Sequence, residues 1–558
     1  MTFNPRDTSA TLTSRGTGKT AAVRSGVLTP HVGCRVRTPE QEGGAGTTAA
    51  VTPHFLATED AIDTMRAGGS AIDAAISANA VLGVVLPTTC GLGGDLFALV
   101  NGPGFGVPMC MNASGRAGQN STAEGLRKMG HTAVPLQGPD SITVPGAVDG
   151  WLALHKRFGE LPLATVLGPA IDLAENGFPV SFELSRSLVR LHPLIKRQGS
   201  AAPLYPSGPP RQDSSLRRPR YGAVLRAIGE EGRSALYNGE VGEAIVEATD
   251  NRITLNDLAT DQAEWVKAAG IDVFGITAWT VPPNSQGCLT LATLKIFEDL
   301  DVTRDPEDPA FHHALIEAYR SVAWERDKYI SDPETAQDVS FLLDARRLGE
   351  RAAKISMDRI VHWPSPADAP GGTAFLATSD SSGLSVSLIQ SNFWGIGSGI
   401  SAGDTGVFLH NRGAGFNLIP GHRNELRPGK RPLHTLSPTL WTDNGATALV
   451  LGTRGGHFQP QILAQVAVYL LHAGLPPDEA QCAPRWQIDQ LDTADTPVLT
   501  LEAPLHSAHG NALERYGHLT ECADTSTEGW GPVALIDMRS GVVAAADPRV
   551  STATALVG

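Results

Sequence analysis

The segment at positions 364–372 constrains the fold of this chain more than any other part of its sequence. It reads Pro-Ser-Pro-Ala-Asp-Ala-Pro-Gly-Gly and stands directly before Thr373. Proline and glycine at this density interrupt helices and strands, so the segment is predicted to be a loop. Residues 373–378 and 384–389 then have strand-like composition around a Ser-Ser-Gly turn, which predicts a hairpin. The chain therefore leaves a loop and enters a sheet at Thr373.

Helices and strands are predicted on both sides of this junction. Apolar residues recur at three- and four-residue steps from Phe55, and the segment 71–85 is apolar nearly all round, which predicts a buried helix. Further helices are predicted at 149–158, 163–176, 309–329 and 459–472, and further strands at 407–410 and 448–452. This mixture indicates one layered α+β body rather than a string of separate domains.

Composition and charge exclude several classes of function. The chain has 558 residues, of which 41% are hydrophobic and 18% are charged, as in a soluble globular protein. A net charge of −14 argues against a nucleic-acid partner, because phosphate binding requires a clustered basic surface. No apolar stretch has the length of a signal sequence or a membrane span. We therefore expect a cytoplasmic protein without a membrane or nucleic-acid partner, preceded by a flexible arm at residues 1–48.

The cysteines and histidines predict neither a metal site nor a cofactor. Six cysteines are scattered without a Cys-x-x-Cys pair, so they fit neither a zinc site nor a disulfide framework and are expected to be reduced. The histidines show no His-Glu-x-x-His spacing. Any chemistry is therefore expected to come from the chain's own side chains and backbone.

The sequence Gly371-Gly372-Thr373 has two interpretations. One is an ordinary turn that leads into a strand. The other is a self-cleavage site, in which the Thr373 hydroxyl attacks the Gly372 carbonyl and water then releases a chain that begins at Thr373. The freed α-amine, with a pKa of about 7.7–8.0 in model peptides, can act as the base that a weakly nucleophilic threonine hydroxyl needs. These three residues alone leave both interpretations open.

Eight further features occur in order along the chain and favour the second interpretation. They are Ala-Gly-Gly-Ser-Ala-Ile-Asp-Ala-Ala at 67–75, Cys-Gly-Leu-Gly-Gly-Asp-Leu-Phe at 90–97, Val-Pro-Gly-Ala-Val-Asp-Gly at 144–150, Pro-Pro-Asn-Ser-Gln-Gly at 282–287, Asp380 with Gly383, Lys-Arg-Pro-Leu at 430–433 with Ser-Pro-Thr at 437–439, Gly455-Gly456, and Asp-Pro-Arg at 547–549. In this order they resemble the γ-glutamyltranspeptidase family of N-terminal-nucleophile hydrolases.

The resemblance implies a fold and a maturation. The fold is a four-layer αββα sandwich of the α+β class. Self-cleavage would divide the chain into a large subunit, residues 49–372, and a small catalytic subunit, residues 373–558. The two subunits would form one αββα unit, and several such pairs would be able to assemble into a homo-oligomer.

The resemblance also implies roles for residues near the junction. Thr373 corresponds to the nucleophile, and Gly372–Thr373 to the self-cleavage bond. Ser391 stands where the family has a hydroxyl that bonds to the nucleophile's Oγ, and Asn392 is one position from the family's asparagine. The backbone N–H groups of Gly455 and Gly456 correspond to the pair that stabilises the oxyanion.

The residues expected to bind substrate depart from the family pattern. Members that take γ-glutamyl groups hold the α-amine with a Gln or Glu and an Asp, but here the run is His-Asn-Arg-Gly-Ala-Gly-Phe at 410–416. Gly415 cannot supply a carboxylate, and Arg412 would repel an ammonium group. His434-Thr435 replace the family's serine pair, and Arg116 is shifted by about two positions from its carboxylate-binding arginine. This pattern predicts an acyl group that bears a carboxylate but no α-amine.

Four functions remain open at this point. The first is an autoprocessed threonine hydrolase or acyltransferase that cleaves such an acyl amide, similar to the family's acylase-like branch of glutaryl acylases and oxamate amidohydrolase. The second is a C–C bond hydrolase that releases an oxalyl-type acid in an antibiotic pathway. The third is a γ-glutamyl hydrolase or transpeptidase that acts on glutathione-like substrates. The fourth is a non-catalytic relative that binds small molecules.

Overall fold

Two seven-stranded antiparallel sheets form the centre of the protein. A computed structural model describes residues 47–333, 340–364, 372–489, 497–523 and 530–558, together with a short strand at 34–37. The strands are β1 (Cys34–Arg37), β2 (Ala49–Thr52), β3 (Asp95–Asn101), β4 (Met109–Ala113), β5 (Phe178–Pro179), β6 (Ser215–Leu216), β7 (Glu264–Lys267), β8 (Ala269–Val273), β9 (Ile276–Thr280), β10 (Gly372–Ser379), β11 (Ser385–Phe393), β12 (Thr439–Asp443), β13 (Ala446–Thr453), β14 (Trp486–Asp489), β15 (Val498–Leu501), β16 (Leu519–Cys522), β17 (Val533–Asp537), β18 (Val543–Ala546) and β19 (Thr554–Val557).

The helices surround these sheets. They are α1 (Phe55–Arg66), α2 (Ala71–Val85), α3 (Ala123–Lys128), α4 (Ala147–Phe158), α5 (Leu163–Asn176), α6 (Phe182–Arg197), α7 (Pro219–Glu231), α8 (Ser234–Tyr237), α9 (Gly239–Ala248), α10 (Leu255–Ala259), α11 (Cys288–Asp299), α12 (Pro309–Ala323), α13 (Glu325–Tyr329), α14 (Ala345–Ala352), α15 (Gln459–Ala467), α16 (Pro477–Cys482) and α17 (Ala503–Tyr516). A π-helical turn, Val468–His472, extends α15.

Both large sheets combine strands from distant parts of the chain. The first, called the nucleophile sheet here, has the strand order β19-β2-β10-β11-β3-β4-β7. The second, the facing sheet, has the order β1-β18-β17-β13-β12-β9-β8. Each sheet contains strands from both sides of the junction at Thr373, so neither half of the chain can complete a sheet alone.

Three hydrophobic cores define four layers. Between the sheets, side chains such as Phe97, Phe375 and Ile536 interdigitate. Helices α1, α2 and α4–α7 pack on the outer side of the nucleophile sheet, and helices α11, α12, α14, α15 and α17 pack on the outer side of the facing sheet. The predicted α+β class and αββα layering are confirmed.

The predicted hairpin after residue 372 is present as β10 and β11. Its first strand is tied to the buried helix α2, because the Ala71 N–H donates to the Asp380 carboxylate at 2.8 Å and the Thr378 hydroxyl donates to the Ala71 carbonyl at 2.8 Å. Ser70 and Asp73 cap the same helix reciprocally. These bonds fix the helix N-terminus against the end of β10.

Most of the predicted helices match, and one predicted strand is wrong. The segments 71–85 and 163–176 are helices with those bounds, and 309–329 is two helices that meet at Trp324. The segment 407–410 is not a strand: Phe408 forms only an isolated bridge with Ser401, and the Leu409 N–H donates to the Ile400 carbonyl at 2.9 Å. Its apolar residues are buried in the core on the outer side of the nucleophile sheet without regular strand pairing.

Two further expectations concern the arm and the cysteines. Apart from β1, which pairs with β18, the arm at residues 1–48 lies almost entirely outside the described residues. Among the cysteines whose side chains the structure describes, five are free, and four of these, Cys90, Cys110, Cys288 and Cys482, are buried. Among the described residues, no helix combines the length and the apolar character that crossing a bilayer requires.

Candidate active site

Thr373 lies at a bulge where the loop enters the nucleophile sheet. Across β10 and β11, Gly372 faces Phe393 and Ala374 faces Gln390, so Ser391 and Asn392 together stand opposite Thr373. Such a bulge interrupts the ladder and re-aims the side chain it carries. The strand alternation places Thr373 on the same face as Phe375, which is the face between the two sheets.

The Thr373 hydroxyl is buried and uncommitted. The residue is 1% exposed, and its Oγ1 has no hydrogen-bond partner among the described residues. Buried hydroxyls are normally hydrogen-bonded, so an exception calls for an explanation. A nucleophile that must remain available for reaction provides one.

Ser391 hydrogen-bonds to the carbonyl of Gly372, the residue that precedes Thr373. Its Oγ–H donates to the Gly372 oxygen in a short hydrogen bond, and the Phe393 N–H donates to the Ser391 Oγ at 2.7 Å. Phe393 adopts a left-handed backbone conformation with φ of 75°, which a bulky residue rarely adopts. The carbonyl that precedes Thr373 is therefore held and polarised by a serine on the neighbouring strand.

Gly455 and Gly456 follow β13 in a tight turn. Their φ values are +135° and +58°, conformations that favour glycine. The end of β13 lies over β10 because the Phe375 ring occupies the space where a Gly452 side chain would be. Gln286 fixes the turn further, since its Nε2 donates to the carbonyls of Gly456 at 3.0 Å and Thr435 at 2.9 Å.

A cluster of buried polar residues lies beside β11. Asp95, on β3, is the cross-strand neighbour of Ser391 and is completely buried. Its Oδ2 accepts from His434 Nε2 at 2.9 Å and lies 3.4 Å from His410 Nδ1, and its Oδ1 accepts from the Gly115 N–H at 3.0 Å. Two strand spacings separate Asp95 from β10, which is roughly 10 Å.

The electrostatics of this cluster keep one carboxylate ionised. Burial alone would raise the pKa of Asp95, but His410 and His434 outweigh burial and hold that pKa well below its ordinary value. Burial, reinforced by Arg412, lowers the pKa of His434 to about 3, so His434 is a neutral donor at physiological pH. The Leu436 N–H donates to His434 Nδ1 at 3.3 Å, which leaves the proton on Nε2 for Asp95.

Arg412 is the one cationic member of the cluster that keeps unused donors. Its guanidinium stacks 3.9 Å from the centre of the Phe393 ring, and its Nη1 donates to the Thr435 hydroxyl at 3.1 Å. The Nε lies 3.9 Å from Asp95, beyond hydrogen-bond distance, and neither Nε nor Nη2 has a partner in the described part of the chain. Burial lowers the pKa of Arg412, a cost that a bound anion would offset.

The structure brings most of the predicted site residues together and gives two of them other partners. Arg116 forms a short ion pair with Glu264, which also pairs with Arg431 at 2.7 Å. Asn392 alternates to the helix-facing side of β11, where its Nδ2 donates to the Pro87 carbonyl at 3.3 Å. Roles for Arg116 and Asn392 in substrate binding remain predictions.

The sequence blocks recur in a family model that spans most of the chain. The model for gamma-glutamyltranspeptidase matches residues 57–557. The chain belongs to this family. Within the described residues, no three His, Cys, Asp or Glu side chains are grouped so as to hold a metal ion.

Relatives in the family are named as proenzymes of hydrolases. The chain is 35% identical over 511 residues to the glutathione hydrolase-like YwrD proenzyme of Bacillus subtilis, with 89% of this chain and 96% of the relative covered. It is 34% identical over 520 residues to the oxamate amidohydrolase proenzyme of Klebsiella pneumoniae, with 91% and 98% covered.

A solved structure supports the same assignment. The crystal structure of cephalosporin acylase from Bacillus halodurans matches with a TM-score of 0.85 and 32% identity, covering 93% of this chain and 97% of the acylase. This member of the γ-glutamyltranspeptidase family is therefore an N-terminal-nucleophile hydrolase by fold and by sequence.

Sequence reasoning assigned no role to two residues that organise the site. Asp95 is a single acidic residue inside the otherwise apolar run 90–97, and an acidic residue in a buried strand is a signal that a partner exists. Gln286 gave no such signal, because a glutamine after Pro-Pro-Asn-Ser is equally suited to a surface turn. Its bridge between the loops that contain Thr435 and Gly456 appears only in three dimensions.

Proposed function

We propose that this protein is an autoprocessed threonine hydrolase whose nucleophile is Thr373. The observation that carries the proposal is the buried Thr373 Oγ1, which has no hydrogen-bond partner in the described part of the chain and lies next to a carbonyl that Ser391 polarises. The proenzyme names of the relatives support maturation by cleavage.

Self-cleavage follows from the geometry at the bulge. The Thr373 Oγ attacks the Gly372 carbonyl carbon, the C–N bond breaks, and the proton of the hydroxyl passes to the released amine. The resulting ester takes up water and yields a Gly372 carboxylate and a free Thr373 hydroxyl. Ser391 donates to the oxygen on which negative charge develops, which is where a donor lowers the barrier most.

The mature nucleophile then uses its own amine. The Thr373 α-amine accepts the hydroxyl proton as Oγ attacks the substrate carbonyl, and it returns the proton to the leaving group. An acyl-enzyme forms on Thr373, and water or an acceptor amine resolves it. We assign the oxyanion to the N–H groups of Gly455 and Gly456, whose turn Gln286 holds.

The charge of Arg412, which packs against Phe393 of β11, supports a class of substrate. Arg412 offers an open Nε–Nη2 edge, the geometry that binds a carboxylate with two parallel hydrogen bonds. Asp95 does not use these donors, because His434 and Gly115 already satisfy it. The acyl group is therefore proposed to carry a carboxylate and no α-amine, and the similarity to an oxamate amidohydrolase agrees with this class.

Intact mass after expression tests the maturation. Wild type should give two fragments, the smaller beginning at Thr373, and Thr373→Ala should remain one chain. Thr373→Ser should still cleave, because it retains a hydroxyl. An uncleaved, folded wild-type chain would contradict the proposed mechanism.

A substrate panel on the processed enzyme tests the acyl group. Oxalyl and glutaryl anilides should be hydrolysed, and the γ-glutamyl anilide should be a poor substrate because nothing acidic replaces Gly415. Preference for the γ-glutamyl anilide would reassign the protein to the γ-glutamyl hydrolases. Turnover of an oxalyl ketone but of no amide would favour C–C bond hydrolysis.

A further inference from the structure

Thr373 has a second side, away from Arg412. In the nucleophile sheet, β10 lies between β2 and β11. Arg412 packs against Phe393 of β11, whereas a small cavity opens beside Thr373 toward β2 and the facing sheet. An amide whose carbonyl sits at Thr373 extends in two directions. With the acyl group on the Arg412 side, the leaving group points to this cavity.

The cavity has apolar walls and one charged residue. Its volume is about 20 Å³, which is room for about one water molecule. It is lined by Val51, Thr52, Pro53, Thr373, Phe375, Arg454, Pro532, Val533, Ala534, Ala546 and Ala553. Arg454 is the only ionisable side chain among these lining residues, and it directly precedes the Gly455-Gly456 turn.

Arg454 is held by a carboxylate from the other half of the chain. Its Nη1 donates to Glu183 Oε1 at 2.6 Å, and Glu183 lies in the first turn of α6. The two side chains are 16% and 18% exposed, so water reaches both. A pair that water reaches contributes little to stability, and another carboxylate is able to replace Glu183 on Arg454.

The size of the cavity indicates which of its walls admits a leaving group. No organic leaving group fits in the space of about one water molecule, so a wall must move when substrate enters. The walls from β2, β10, β17 and β18 are strand residues fixed by sheet pairing. Arg454 is a long side chain in a loop, held at its tip by a single ion pair, and is the wall most free to move.

We propose that Arg454 and these apolar walls form a leaving-group subsite for amides whose leaving amine bears a carboxylate on an apolar body. Glu183 occupies Arg454 in the free enzyme, and the substrate carboxylate displaces it. This inference rests on the proposed function, because it takes the scissile carbonyl to lie at Thr373.

Paired anilides with the same oxalyl or glutaryl acyl group test the subsite. The anilide and the 4-carboxyanilide differ only in the leaving-group carboxylate. Arg454→Gln should lower kcat/KM for the 4-carboxyanilide about tenfold, the size of a lost charge-assisted contact, with less than about a twofold change for the anilide. Glu183→Gln should raise kcat/KM for the 4-carboxyanilide, because the competing carboxylate is gone.

The controls distinguish an effect on this subsite from an effect on acyl-group binding and from an effect on folding. Arg412→Gln should lower activity on both anilides equally. Arg539→Gln removes a comparable ion pair of 2.8 Å, with Asp537, that lies away from the site. This variant should leave the activity on both anilides unchanged. Arg454→Lys should restore part of the 4-carboxyanilide preference if Arg454→Gln cleaves itself poorly.

The outcomes are distinguishable. Equal losses on both anilides in Arg454→Gln would overturn the subsite and leave Arg454 as a support of the glycine turn. If processed wild type hydrolyses neither anilide, the proposed function fails, and binding of benzoate against benzamide then tests the subsite without turnover. Benzoate should bind wild type more tightly than Arg454→Gln, and equal binding to both would refute the inference.

Discussion

Two arginines of this protein, Arg412 and Arg485, are both completely buried, and their surroundings differ. Arg485 donates to the Trp530 and Gly531 carbonyls at 2.8 and 2.9 Å and to Asp547 at 2.6 Å. Arg412, within the described residues, donates only to the hydroxyl of Thr435.

This difference is the one expected between a structural charge and a charge held for a ligand, the role proposed for Arg412. Burying a guanidinium is costly unless anions and acceptors surround it, and Arg485 has both. Arg412 is also buried, near the proposed nucleophile, but only part of its hydrogen-bonding capacity is used within the described residues. In the proposed function, the carboxylate of the bound acyl group supplies the missing partner.

The largest expected effect is the loss of stability when Arg485, the arginine that is hydrogen-bonded to a carboxylate, is replaced. Arg485→Met should lower the free energy of unfolding by about 3 kcal/mol or more, because Asp547 and two carbonyls lose their donor in the interior. Denaturant unfolding measures this, with Arg539→Met as a partly exposed control. A stability like that of wild type would show that Arg485 and Arg412 are not different in kind.

Arg412→Met should behave in the opposite way. Stability should fall less than in Arg485→Met, since Arg412 donates no hydrogen bond to a carboxylate of the described residues and its Nε lies 3.9 Å from Asp95, while kcat/KM for a carboxylate-bearing acyl amide should fall about 10²-fold. Oxalate or glutarate should raise the melting temperature of wild type and not of the variant. A large loss of stability with unchanged kcat/KM would make Arg412 structural as well.

A second contrast, between a hydrogen-bonded and an unbonded side chain, exists for two serines on one strand. Ser391 donates a hydrogen bond to the Gly372 carbonyl. Ser387, also on β11 and completely buried, has an Oγ without a hydrogen-bond partner in the described chain. Ser391→Ala should slow self-cleavage about 10²-fold, the typical effect of losing one oxyanion donor. Ser387→Ala is the matched control and should cleave normally in a time course followed by intact mass.

The smallest expected effect concerns two buried histidines. Burial is the main cause that lowers the pKa of both His434 and His518 to about 3. The unfolded chain then binds more protons than the folded one between about pH 6.5 and 3, so stability falls as pH falls through that window. Replacing either histidine by Asn should flatten this slope by at most about 1.4 kcal/mol per pH unit.

Activity should distinguish the two histidines. His434 donates to Asp95 beside Arg412, whereas His518 bonds His313 near α17, away from the nucleophile. His434→Asn should raise KM for the acyl substrate, and His518→Asn should leave KM unchanged. Equal effects on KM would indicate that the Asp95 cluster does not shape the acyl site.

Much of this architecture was predictable because it depends on local pattern. The helix at 71–85 and the hairpin after 372 follow from apolar periodicity and turn residues, which act over a few positions. The strand predicted at 407–410 is wrong because its apolar residues are buried in a core without pairing as a strand. Periodicity detects burial and does not identify what covers a residue.

The sequence by itself determined the loop-to-strand junction at Thr373, the family and the absence of an acidic partner at Gly415. Tertiary structure decided which polar groups remain uncommitted: it occupied Arg116 with Glu264, turned Asn392 to the helix side and left Arg412 with open donors. The physical reason is that hydrogen-bond satisfaction depends on neighbours distant in sequence. Asp95 and Arg412 are separated by 317 positions yet lie 3.9 Å apart, and only the folded sheets bring them together.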